Sequence, residues 1–150
     1  MELKVIPVVQ VLIAAVLMVI IAIYTPSLSY HFPFENIVIS LLLFLAVLSG
    51  VLAIYCFKQH QTTVNPMSPE KASKVVDSGI YAYSRNPMYL ALLLVLLTLA
   101  VFLNNIATFV IIPLFVAYIT RFQIIPEERA LTSNFGQDYL RYTKKVRRWL

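Results

Sequence analysis

The residues with the greatest chemical capacity fall into two clusters. One is Gly79-Ile80-Tyr81-Ala82-Tyr83-Ser84-Arg85-Asn86-Pro87-Met88-Tyr89, which leads into an apolar run. The other is the carboxylate pair Glu127-Glu128, followed by Phe135-Gly136, Tyr139 and Tyr142. Each has an ordinary reading when taken alone. Tyr and Arg side chains anchor at a membrane–water interface, and two glutamates just after Pro126 suit the positive end of a helix. Several other chemistries find no support. His31 and His60 have no partners at metal-ligand spacing, so no metal is expected. Cys56 is the single cysteine, lies in an apolar run, and has no activating base beside it. Three glycines do not make a phosphate-cradling loop, and strand–helix alternation is missing.

The elements that must position these clusters are set by hydropathy. Of the 150 residues, 60% are hydrophobic and 13% charged, with a mean hydropathy of +0.80. A soluble domain this small cannot bury so much apolar surface, so the bilayer is the expected solvent. Four apolar runs stand against a need for roughly 20 residues per crossing. They extend over about Val5–Tyr24, Ile37–Phe57, Met88–Leu103 and Ile106–Ile125. The first is too long for a signal-peptide core and has no small-residue cleavage site before Thr25-Pro26. Asn104-Asn105 leaves room only for a tight turn, so the last two runs form a hairpin.

All 12 Lys and Arg residues lie at Lys4, between Lys58 and Arg85, or from Arg121 onward. With four spans, the positive-inside rule then puts both termini in the cytosol, with a cytosolic loop at 58–87 and a cytosolic tail at 126–150. The expected fold is therefore a single all-α integral membrane domain of four transmembrane helices, a cytosolic loop and a C-terminal amphipathic helix. Leu131, Phe135, Tyr139, Tyr142 and Val146 form the apolar stripe of that last helix. The net charge of +5 suits anionic lipid headgroups rather than nucleic acid in such a chain. Arg121 is the one charged residue inside the four runs, and no carboxylate lies there, which argues against a proton-coupled transporter. The two clusters sit at the two ends of one hairpin, so the fold must bring them together.

The stretch from about Thr62 to Trp149 resembles the isoprenylcysteine carboxyl methyltransferase and phospholipid methyltransferase superfamily of integral membrane enzymes. The resemblance is carried by Thr62-Thr63-Val64-Asn65-Pro66, Val76-Asp77-Ser78-Gly79-Ile80-Tyr81 and Arg85-Asn86-Pro87-Met88-Tyr89. It continues through Glu127-Glu128-Arg129-Ala130-Leu131, Phe135-Gly136-Gln137-Asp138-Tyr139 and Tyr142, as in short bacterial members. It implies a bacterial inner-membrane methyltransferase that takes S-adenosylmethionine as methyl donor and a lipophilic or lipidated acceptor. By position it assigns cofactor contacts to Ser73, Lys74, Val75, Val76, Tyr81, Asn86, Pro87, Met88, Tyr89, Glu127 and, in the phospholipid branch, also Glu128. Such a cofactor is recognisable chemically: an acid can pair with its ammonium, and a tyrosine ring can pack on adenine or near the sulfonium.

Two positions depart from the carboxyl methyltransferase pattern. Asn86 replaces a histidine, and an amide still hydrogen-bonds. Gln123 occupies the place of a substrate-binding arginine four residues before the first tail glutamate, and Arg121 is the nearest cation to it. Weak activity on a carboxylate is the expectation, improved by an arginine at 123. A phospholipid amine methyltransferase and a non-catalytic membrane scaffold are the alternatives.

Overall fold

The computed structural model describes residues 5–60 and 74–150. It is all-helical, with no strand among those residues. The helices are α1 (Pro7–Tyr24), α2 (Glu35–Gln59), α3 (Pro87–Phe102), α4 (Ile111–Ile119), α5 (Ile125–Phe135) and α6 (Gln137–Lys145). A 3₁₀ turn at Ile106–Val110 precedes α4, and a π-helical turn at Thr120–Ile124 joins α4 to α5. Three stretches are long and apolar enough to cross a membrane: α1, α2 and the continuous helical run Ile106–Phe135. Helix α3 is apolar throughout but has 16 residues. That is about 24 Å of helix, less than the ~30 Å hydrocarbon core. Length and composition thus support three crossings.

Helix α3 is the centre of the bundle, packed by α2 on one side and by α1 and α4 on the other. The α2 contact is built from small side chains. Ala46, Ser49, Ala53 and Cys56 are buried at spacings of three and four, which aligns them on one helical face. Small residues let two backbones approach closely in lipid. A Cβ on Gly50 would lie 3.7 Å from the Ala91 Cβ, and Ser49 Oγ donates to the Pro87 carbonyl at 2.8 Å. On the other side Val11, Ala14 and Met18 of α1 meet Leu96, Ala100, Phe115 and Ile119 in one apolar core. Leu12, Val16, Leu41, Phe44 and Leu48 instead face outward and are exposed. A face like that needs lipid, and with the three long apolar helices it marks an integral membrane protein.

The turn between α3 and α4 is fixed by the two asparagines. Asn104 adopts φ 48°, a conformation asparagine tolerates well. Asn105 caps the following 3₁₀ turn by accepting from the Ala107 N–H at 2.9 Å, and its Nδ2 donates to the Thr25 carbonyl at 2.7 Å. This end of the hairpin is thereby tied to the end of α1.

The tail differs from the single helix expected. Gly136 sits at φ 52° and breaks it into α5 and α6. A left-handed residue ends a helix by turning the chain away from helical geometry, and glycine does so without a Cβ penalty. The apolar stripe survives the break: Tyr139, Tyr142 and Val146 are buried together, with Leu131, Phe135 and Val75 packed on them. The start of the tail also differs. Helix runs through Pro126 instead of beginning there. Proline lacks an N–H and crowds the preceding turn, and the π turn just upstream widens the helix there, with the Ile125 N–H bonded to the Thr120 carbonyl.

Candidate active site

The loop cluster is held by a tight contact with α2. Gly79 lies at φ 59°, and a Cβ there would fall 2.6 Å from Cys56 Sγ, so only glycine fits. The 3₁₀ turn Gly79–Ala82 then turns Tyr81 inward. Its ring meets Phe57 edge-on at 5.1 Å between centroids, and its carbonyl accepts from Tyr142 Oη at 2.8 Å. Burial pushes the Tyr81 and Tyr142 hydroxyls well above the ordinary phenol range, and that of Tyr139 up to about 12. All three remain neutral hydrogen-bonding groups. Cys56 is buried, as an inert thiol in a helix contact.

Asn86 and Pro87 start α3. Asn86 stands at the N-cap with non-helical backbone angles, and Pro87 takes the first turn, where its missing N–H costs nothing. The Asn86 side chain is directed across to the tail, donating from Nδ2 to the Arg148 carbonyl at 2.9 Å. One turn into α3, Tyr89 is buried and its hydroxyl donates to Glu127.

The two glutamates have unlike surroundings. Glu127 accepts from the Tyr89 hydroxyl and, at 2.8 Å, from Gln123 Nε2; both donors are neutral. Glu128 is paired with cations. Arg148 grips it with two bonds, Nε to Oε1 at 3.0 Å and a guanidinium NH₂ to Oε2 at 2.7 Å, and Arg85 lies 3.1 Å from Oε1. Such charge-assisted, forked contacts are the stronger hydrogen bonds. Glu128 is neutralised inside the protein, and Glu127 has only neutral donors among the described residues.

A cavity of about 430 Å³ opens between these elements, a size usual for small-molecule sites of ~300–1,000 Å³. It brings together Lys74, Val75, Val76, Tyr81, Asn86, Met88, Tyr89, Glu127 and Glu128 of the residues singled out by sequence. Pro87 is buried just behind it. Gln123 is fully buried, does not line the cavity, and donates to Glu127, which does. Arg121 is exposed and does not line it; its guanidinium lies 5.6 Å from the Phe122 ring centroid. Ser73, and the Thr62–Pro66 segment, lie outside the described residues.

Other lining residues were not singled out as site residues. Arg85 sits inside the quoted motif, and Tyr139 and Tyr142 inside the apolar stripe, so their positions were visible although their role was not. Phe57, Gly50 and Ala91 reach the cavity through the α2–α3 contact, which no local pattern announces. The apolar wall continues onto Ile6, Pro7 and Val8 at the start of α1. No metal-binding group of His, Cys, Asp or Glu occurs among the described residues.

The donor set suits the cofactor implied by sequence. An acid with no cationic partner among the described residues suits an ammonium or sulfonium, tyrosine and phenylalanine rings suit a heteroaromatic base, and apolar walls exclude water. A protein of Haemophilus influenzae described only as uncharacterized is 48% identical over 63 residues, which are 42% of this chain and the whole of that relative. No solved structure matches the chain. The model of the phospholipid methyltransferase family matches residues 34–138. That span runs from the start of α2 into α6 and includes most of the residues that line the cavity, and the chain belongs to the phospholipid methyltransferase family.

Proposed function

We propose that this protein is a membrane-embedded, S-adenosylmethionine-dependent methyltransferase acting on a lipophilic acceptor. The observation that carries the reading is the cavity in which Tyr81, Asn86, Tyr89 and Glu127 converge, with no cation paired to Glu127 among the described residues. In this reading the cofactor supplies an electrophilic methyl group. The chain supplies positioning and exclusion of water. Glu127 pairs with the cofactor's positive charge, held in one rotamer by Tyr89 and Gln123. Tyr81 offers a ring face, and the backbone from Lys74 to Val76 meets the polar end. Helix α3 makes a fourth crossing, and the positive-inside distribution of Lys and Arg supports a site and termini facing the cytosol of a bacterial inner membrane.

For the acceptor, two readings differ in charge. An isoprenylcysteine carboxylate needs a cationic fork, and Arg85 and Arg148 are both engaged with Glu128. A phospholipid amine needs no such fork: it takes the methyl group as the neutral amine and gives up its proton to the aqueous face. The electrostatics favour the amine.

The test is calorimetry of the purified protein in detergent with S-adenosylhomocysteine, followed by transfer of a radiolabelled methyl group into lipid. Heat of binding and labelled lipid are expected. No heat and no thermal shift at millimolar ligand would leave a membrane scaffold without turnover.

A further inference from the structure

The segment after α6 makes an unusual set of contacts. Val146 leaves the helix with extended backbone angles, φ −118° and ψ 133°, and the chain beyond it returns to Arg85, Asn86 and Glu128. Four consecutive residues are used there. Val146 is buried with Tyr139 and Tyr142. The Arg147 carbonyl accepts from the Arg85 N–H at 3.1 Å. Arg148 uses both its backbone and its side chain, and Trp149 packs on the central core. The strap therefore touches both clusters that line the cavity, the loop end of α3 and the start of α5.

Arg148 is the residue in which these contacts meet. Its carbonyl fixes the Asn86 amide, and its guanidinium holds Glu128 in a two-bond grip on the other wall. Its side chain is 36% exposed, whereas that of Glu128 is 16% exposed. The arginine reaches in from the surface and fixes a more enclosed carboxylate. Glu128 and Glu127 are successive residues of one helical turn, so the rotation of that turn that satisfies Arg148 also sets the direction of Glu127.

We infer that Arg148 is a positioning residue of this site, joining the Arg85–Tyr89 wall to the α5 wall through Glu128 and Asn86. The inference rests on the cofactor reading for its effect on binding and on the contacts alone for its effect on the wall. It gives Glu128 the role of an anchor for the strap, leaving the cofactor's charge to Glu127.

Two measurements on the full chain in detergent separate the inference from the reading beneath it. Arg148→Met keeps most of the stem and removes the fork; it is expected to weaken S-adenosylhomocysteine binding about tenfold, which corresponds to ~1.4 kcal/mol. Arg148→Lys restores the charge and recovers part of the loss, an outcome that general destabilisation does not give. In a Glu128→Gln background the Arg148→Met change should add less than about twofold, since contacting residues are not additive. Hydrogen exchange needs no ligand: amides 84–86 should exchange about tenfold faster in Arg148→Met, with the Asn104–Asn105 turn unchanged. Wild-type affinity and unchanged exchange in Arg148→Met would overturn the inference and leave the cofactor reading standing. Absence of binding by the wild type, with faster exchange at 84–86 in the variant, would overturn the cofactor reading and leave the positioning role.

Discussion

Gln123 donates its side-chain amide to Glu127 Oε1 at 2.8 Å, four residues along a helix that passes through a π turn and a proline between them. The contact has two consequences. Gln123 is committed to orienting a carboxylate, so it is a supporting residue behind the cavity wall. Glu127 is served by an amide and a phenol among the described residues, whereas Glu128 one residue later is held by two arginines.

That asymmetry predicts unequal effects for two identical substitutions. Glu127→Gln keeps the size and an acceptor oxygen but removes the charge. It should weaken cofactor binding by roughly 1.5–3 kcal/mol, the worth of a charge-assisted hydrogen bond. Glu128→Gln should act mainly by loosening the strap, with a smaller loss of affinity. Calorimetric titration of both variants with S-adenosylmethionine decides the matter, and equal affinity of Glu127→Gln and wild type would remove Glu127 from the site.

A second prediction concerns the fit of the loop on α2. Gly79→Ala meets two obstacles, a positive φ and a sulfur 2.6 Å from the new carbon. A left-handed residue with a Cβ costs about 1–2 kcal/mol, and the steric overlap adds to it. Adding Cys56→Ala removes the overlap but not the backbone cost, so the double variant should regain part of the lost stability. Thermal unfolding in detergent reads both steps. Full stability of Gly79→Ala alone would mean that the loop can move away from α2 without penalty.

Much of this arrangement was visible in the sequence because it depends on local patterns. The apolar runs announce the long helices, Asn104-Asn105 announces the hairpin turn, and Pro87 marks the start of α3 by its fixed φ. The convergence of Tyr89 with Glu127 followed from the hairpin itself, which returns the chain to the end from which it started. Other features depend on contacts between distant residues and leave no periodic trace. The stripe of Leu131, Tyr139 and Tyr142 reads as one helix, because the break at Gly136 changes the backbone and keeps the face. The closeness of Gly50 to Ala91 shows only once α2 lies on α3. Arg148 resembles any basic residue of a membrane-facing tail until the strap carries it back to Glu128.

The last prediction concerns the acceptor. Spacing alone suggests that an arginine at 123 would serve a carboxylate substrate. The structure gives a different outcome, because position 123 is fully buried and aimed at Glu127. An arginine there would pair with Glu127 and cancel the charge left for the cofactor, since a buried guanidinium takes the nearest carboxylate. Gln123→Arg should therefore lose affinity for S-adenosylmethionine and gain no activity on a prenylated cysteine carboxylate. The wild type should methylate that substrate weakly, and Arg121→Ala should alter its rate little, since Arg121 lies over Phe122 and does not line the cavity. A radiolabelled methyl-transfer assay comparing a farnesylcysteine analogue with an aminophospholipid, run on the wild type and both variants, tests these expectations of turnover. Robust turnover of the farnesylcysteine analogue, lost in Arg121→Ala, would identify Arg121 as the substrate cation and overturn the preference for an amine.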